Sequence, residues 1–114
     1  MRRGSAAVAA ALLLLAGGAM AQEGPGGDAR AGRRLAGARC AVCHGNNGIA
    51  QQPDAPNLAG QNPAYVVAQL GHFRSGERKH EQMNVVAQEL SDAQVADLAA
   101  WYAAIQVEAT VPGR

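Results

Sequence analysis

Two cysteines stand three positions apart with a histidine directly after the second, in Cys40-Ala41-Val42-Cys43-His44, and the chain has no other cysteine. Two thiols on one helical turn can reach the two vinyl groups along one porphyrin edge, which carries the following imidazole beneath the iron. The spacing therefore reads as an attachment site for one c-type haem, with His44 as proximal iron ligand. Other chemistries also use a Cys-x-x-Cys pair. A thioredoxin-like redox disulfide opens a helix after a strand, whereas the surroundings here are rich in Ala and Gly and lack a β-branched run. Zinc asks for four ligands, and His72 and His80 stand singly rather than as a second paired cluster. A structural bridge is a third use of such a pair.

A haem held in this way sets three requirements: a compartment reached by export, a sixth ligand or an open site, and a polypeptide wrapped around an apolar plate. The N-terminus speaks to the first. Arg2 and Arg3 form a positive start, residues 6–16 an apolar run rich in Leu, and Ala19-Met20-Ala21 a small-x-small cleavage site. Residues 1–21 are therefore read as a secretory signal peptide, cleaved after Ala21, which places the mature protein in the periplasm. The run breaks at Gly17-Gly18, short for a bilayer span, and no cysteine follows to take a lipid, so no stable membrane anchor is expected.

Without the signal, eight basic residues face nine acidic ones, so the net charge of +1 belongs to the leader. Neither nucleic-acid binding nor attraction to anionic membranes is suggested. At 114 residues there is room for one domain. Its mature aromatics are only Tyr65, Phe73, Trp101 and Tyr102. Such a chain has difficulty building a core from its own atoms, and a tethered porphyrin would supply the missing apolar mass.

Residues 22–27 are a Gly/Pro-rich lead-in, and the domain is expected to occupy residues 28–114. Asp28 caps an expected helix from Ala29 to about Arg39, with small residues Gly32 and Ala36 one turn apart and Arg30, Arg33 and Arg34 toward solvent. Gly45-Asn46-Asn47-Gly48 reads as a turn, and Gln51 to Gly60 as an aperiodic, Pro-interrupted loop. Asn62-Pro63 opens a second helix that carries Tyr65, Val66, Gln69, Leu70 and Phe73 at helical steps and ends at Gly76. Ser91-Asp92-Ala93-Gln94 is a capping box opening the last helix, with Val95, Leu98, Tyr102 and Ile105 on one face beside Trp101. No strand pattern or repeat is visible, and the fold class is all-α.

For the sixth ligand, Met83 is the only methionine left once Met1 and Met20 leave with the signal. A lone Met is ordinarily core filler. Here it follows a polar segment, Glu77 to Gln82, and is expected in a non-helical stretch able to fold over the second haem face. His80 is the competitor. Bis-histidine ligation would lower the reduction potential, while His/Met ligation raises it.

Together with Cys40-Ala41-Val42-Cys43-His44-Gly45, the chain carries Pro56-Asn57-Leu58-Ala59-Gly60-Gln61, Tyr65, Gln69-Leu70, Phe73, Gly76, Arg78, Met83, Leu90-Ser91-Asp92 and Leu98-Ala99-Ala100-Trp101-Tyr102. In these residues it resembles class I cytochrome c, most closely the soluble bacterial cytochrome c553 and cytochrome c4 type, over nearly all of the mature chain. The resemblance implies a cytochrome c fold of three main helices and loops around one covalent haem c. It implies thioether attachment at Cys40 and Cys43, iron ligation by His44 and Met83, and a Pro56 carbonyl that accepts the Nδ1 proton of His44. It implies also that Gly32 with Leu98 and Trp101 marks the crossing of the terminal helices, and that Leu58, Tyr65 and Phe73 wall the haem. Cytochrome c4 proper carries two such domains in tandem, whereas this chain has one. Where the family often has a further Met or a Pro near the distal ligand, this chain has Asn84-Val85-Val86.

Iron saturated by His44 and Met83 leaves no position for a substrate, so the function expected is one-electron transfer between redox proteins in the periplasm or cytoplasmic membrane, without enzymatic catalysis. The sole lysine, Lys79, cannot make a basic docking ring. A small, transient and largely uncharged contact patch is expected instead. The alternative is an electron-transfer subunit of a periplasmic dehydrogenase or sulfur-oxidising complex. A gas-binding or peroxidase haem protein requires Met83 to leave the iron.

Overall fold

The computed structural model describes residues 26–113. The expected signal peptide, residues 1–21, lies outside the described residues, as does most of the lead-in. Five helices follow one another: α1 (Ala29–Arg39), α2 (Ala41–His44), α3 (Pro63–Ser75), α4 (Glu81–Gln88) and α5 (Asp92–Ala104). There is no strand among the described residues.

The three long helices start where their capping residues stand. The Asp28 carboxylate accepts from the backbone N–H groups of Arg30 and Ala31, and Asn62 does the same for Ala64 and Tyr65 ahead of Pro63. Ser91 and Gln94 close a reciprocal capping box at the start of α5. Each cap satisfies amide groups that a helix cannot satisfy from within, for about 1 kcal/mol apiece. At the other end of α3, Gly76 takes the left-handed conformation, with φ of 81°.

The terminal helices α1 and α5 pack directly on each other. A Cβ at Gly32 would fall 1.9 Å from the carbonyl oxygen of Asp97, so the crossing depends on the missing side chain. Around it lies a small core of Ala36, Leu90, Val95, Leu98 and Tyr102. The Asp97 side chain accepts from the Asp28 backbone N–H at 2.7 Å, and the Arg33 guanidinium lies 5.4 Å from the centre of the Trp101 ring. Arg74 ties the remaining helices together: it donates to the Leu90 carbonyl at 2.7 Å and to the Asp92 carboxylate at 2.7 Å, joining α3 to the α4–α5 corner.

One expectation is corrected. Met83 lies within α4, not in a non-helical stretch. The helix has only eight residues, and its N-cap is His80, whose Nδ1 accepts from the Met83 backbone N–H at 3.3 Å. Histidine is not among the residues that announce a helix start, and two turns are too short for a convincing apolar period.

Candidate haem site

Cys40 ends α1 and begins α2, so the attachment motif occupies the corner between a core helix and a single turn. The Cys40 carbonyl accepts from the backbone N–H groups of Cys43 at 3.3 Å and His44 at 2.9 Å, which sets both thiols and the imidazole on one turn. Both cysteines are free and partly buried, and His44 is 7% exposed. Directly after it Gly45 has φ of 77°, a conformation disfavoured for any other residue, and turns the chain under the histidine.

The segment after Gly45 lacks regular structure but is held at several points. The Cys43 carbonyl accepts from Gln51 N–H at 2.8 Å, the Gly48 carbonyl accepts from Leu58 at 2.8 Å and Ala59 at 3.0 Å, and the Asn57 side chain accepts from Ala50 N–H at 2.7 Å. Gly60 N–H donates to the Tyr102 carbonyl at 2.8 Å, fastening the loop to the end of α5. These bonds bring the Pro56 carbonyl to 2.9 Å from His44 Nδ1. A carbonyl only accepts, so Nδ1 carries the proton and the Nε2 lone pair is left for a metal.

A cleft of about 680 Å³ opens between these elements. All eight residues singled out in the sequence line it: Cys40, Cys43, His44, Pro56, Leu58, Tyr65, Phe73 and Met83. Tyr65 is half exposed at the rim, while Phe73 is buried. The sequence reading left out Val66, Leu70, Val86, Leu98 and Tyr102, which line the same cleft. Leu98 and Tyr102 were legible as one face of α5, but that face serves both the α1 crossing and the cleft. The Cys43 sulfur lies 3.9 Å from Gln82 Oε1 in the first turn of α4, and His80 Nε2 lies 3.4 Å from the Asp54 carboxylate. The first turn of helix α4 thus borders the cleft between Cys43 and the Asp54 loop.

Burial pushes the Cys40 thiol above its ordinary value of 9.0, with the Tyr102 hydroxyl and the Arg39 charge pulling weakly the other way. The Tyr102 phenol is raised far above 10.0, by burial first and by the adjoining Cys40 second. Its hydroxyl is buried with the Cys40 thiol beside it and makes no hydrogen bond of ordinary geometry. An unsatisfied hydroxyl on the wall of an apolar cleft is unusual for a finished core. No group of three or more His, Cys, Asp or Glu side chains among the described residues could hold a metal ion, which removes the partners a zinc site would need. The donor set of two thiols, an oriented imidazole and a thioether in a mostly apolar cleft fits a haem c.

The family described as "Cytochrome C oxidase, cbb3-type, subunit III" matches residues 27–101. The chain is 47% identical over 77 residues to cytochrome c4 of Thiocapsa roseopersicina, covering 68% of this chain and 40% of that protein. It is 42% identical over 79 residues to cytochrome c-554(548) of Halomonas halodenitrificans, covering 67% of this chain and 94% of that one. The solved structure of Acidithiobacillus ferrooxidans cytochrome c4 superposes with a TM-score of 0.62 at 32% identity, covering 68% of this chain and 49% of that one. The chain belongs to the class I c-type cytochromes, and within them it is similar to cytochrome c4. That family carries haem c bound covalently through two cysteines. The chain spans less than half the length of the cytochrome c4 proteins it matches.

Proposed function

We propose that the protein is a periplasmic one-electron carrier whose haem c is tethered by Cys40 and Cys43 and whose iron is ligated by His44 and Met83. The observation that carries this reading is the shared cleft: both thiols, the imidazole fixed by Pro56 and the Met83 side chain all line it. Haem c supplies exchange of one electron between ferric and ferrous iron. The chain's own part is to hold the His44 ring in one tautomer, to present a thioether that favours the ferrous state, and to wall the site with Leu58, Phe73, Leu70 and Leu98. No residue is called upon to move a proton or bind a substrate, in keeping with a carrier rather than an enzyme.

Residues 1–21 support export, and among the described residues no helix is long and apolar enough to cross a membrane. Three apolar side chains on the cleft rim are open to solvent, Val42 at 76%, Val85 at 60% and Tyr65 at 49%. They favour a small uncharged patch for brief encounters with other redox proteins. A second reading, a haem-bearing subunit held in a larger redox complex, is favoured by the family description, which names an oxidase subunit. Copurification with a partner would support it.

The test is an absorption spectrum and redox titration of protein matured with haem, wild type against Met83→Ala. The wild type is expected to show a low-spin spectrum with the red sulfur-to-iron charge-transfer band and a positive potential, both lost in Met83→Ala. Absence of the band in the wild type, with ready binding of carbon monoxide to the ferrous form, would overturn His/Met ligation and favour a gas-binding or peroxidase haem.

A further inference from the structure

The residue after Met83 occupies an unusual position. Asn84 Nδ2 donates to the carbonyl of Phe73 at 2.8 Å and to the carbonyl of Arg78 at 2.8 Å, and its Oδ1 accepts from the His80 backbone N–H at 2.8 Å. One half-buried amide thus uses both of its Nδ2 protons and its oxygen on three segments: the last turn of α3, the connection after Gly76, and the N-cap of α4. His80 answers from its side by accepting the Met83 N–H on Nδ1. Without Asn84 the Arg78 carbonyl and the His80 N–H would each need a new partner, and the Phe73 carbonyl would keep only the Gly76 N–H at 3.3 Å. Water could serve the exposed ones but would not hold the segments together.

Helix α4 is held at its far end by Arg74, which donates to the Ala87 and Leu90 carbonyls, while its first turn has, besides Asn84, only the His80–Asp54 pair and the long Gln82–Cys43 approach. It has eight residues, below the length at which helices persist unaided, and among them only Ala87 is buried. Its first turn carries Met83, and α3 carries Phe73 on the cleft wall. We propose that Asn84 is the positioning residue for Met83: its three hydrogen bonds clamp the first turn of α4 to the end of α3 and so fix where the Met83 thioether sits in the cleft. The inference rests on the reading of Met83 as iron ligand. Asn84 is not itself among the residues that line the cleft, but the three it bonds, Phe73, Arg78 and His80, are. It acts by limiting how far the helix can swing, and hence how often the iron is free of sulfur.

The consequence is measurable as competition. Imidazole added to ferric protein can take the sixth position only while the thioether is away, so its apparent affinity reports the open fraction. In Asn84→Ala, and in Asn84→Asp, where an oxygen replaces Nδ2 against two carbonyls, imidazole affinity should rise roughly tenfold, the equilibrium equivalent of one lost hydrogen bond. The charge-transfer band should weaken in parallel. Gln88→Ala, an exposed change on the same helix outside the cleft, serves as control and should match the wild type. Variants that lower the melting temperature while leaving imidazole affinity at the wild-type value would overturn the proposal, since Asn84 would then be structural only. A wild type that lacks the charge-transfer band would overturn the Met83 reading instead. Should neither variant mature with haem, amide hydrogen exchange on the wild-type holoprotein decides. Met83 and Asn84 amides protected to the level of the last turn of α3 support the clamp, and free exchange there overturns it.

Discussion

At the residue scale, the site joins groups of opposite demand. His44 needs one ring nitrogen committed so that the other stays available, and the Pro56 carbonyl at 2.9 Å provides that commitment. The Tyr102 hydroxyl, by contrast, is buried with only the Cys40 thiol beside it and no hydrogen bond of ordinary geometry. Its phenol is held protonated in the folded protein well beyond the ordinary value of 10.0. In the unfolded chain it ionises near that value, so above it the unfolded state binds fewer protons and stability falls as pH rises. Below pH 10 the contribution is fully present. Tyr102→Phe should leave stability at neutral pH unchanged or slightly higher and should flatten the alkaline decline, by at most about 1.4 kcal/mol per pH unit. Denaturant titrations at neutral pH and above pH 10 check both. A loss at neutral pH would mean that the hydroxyl finds a partner in the haem-loaded protein.

The candidate residues that share the cleft stood out in the sequence because their types are rare in this chain: two cysteines, and one methionine once the first 21 residues are set aside. Asn84 and Arg74 did not, because each acts through backbone carbonyls brought near only by folding, and such a role leaves no spacing in the sequence. Pro56 sits between. Nothing local distinguishes it from a loop stiffener, and its bond to His44 exists because Gly48, Asn57 and Gly60 pin the loop elsewhere.

At the scale of elements, helices with strong caps were readable at their starts, whereas Ile105, expected on the face of the last helix, lies just past its end. Ala29–Arg39, Pro63–Ser75 and Asp92–Ala104 each begin one residue after Asp28, Asn62 and Ser91. Helix α4 was read as loop because its stability comes from His80 and Asn84 rather than from apolar periodicity. Two glycines of α1 offer a controlled comparison. A Cβ at Gly37 meets nothing within 4 Å, so Gly37→Ala should stabilise by about 0.5–1 kcal/mol through backbone entropy. The same gain applies at Gly32, but there the Cβ meets the Asp97 carbonyl and the Trp101 side chain, and α1 must move off α5. The clash wins, and Gly32→Ala should destabilise by about 1–3 kcal/mol. Urea denaturation of the two variants beside the wild type gives both signs in one experiment.

For the whole molecule, the packed interior is thin. Its buried apolar residues include three alanines, and the largest are Phe73, Tyr102 and the leucines Leu90 and Leu98. All four also line the cleft of about 680 Å³, so the same side chains serve as core and as cleft wall. A domain of this size is close to the limit at which its own side chains suffice. The double variant Cys40→Ala/Cys43→Ala, which cannot tether a porphyrin, should therefore lose most of its helical far-ultraviolet dichroism, and a cooperative thermal transition should be absent. A haem-free variant with native-like dichroism would show that the α1–α5 crossing stands unaided.

The place of Cys40 turns this weakness into an order of events. It closes α1, opens α2, and packs against the core that the terminal helices form. Once those helices dock, its thiol is partly buried on the cleft wall, and burial raises its pKa and so favours the protonated, less nucleophilic form. The window for attaching the porphyrin is thus before docking, while the chain is loose enough to expose both sulfurs. A haem-free chain that folded firmly would hold Cys40 in its less reactive form on the cleft wall; a loose one keeps the thiol ready until the cargo that finishes the fold is bonded in place.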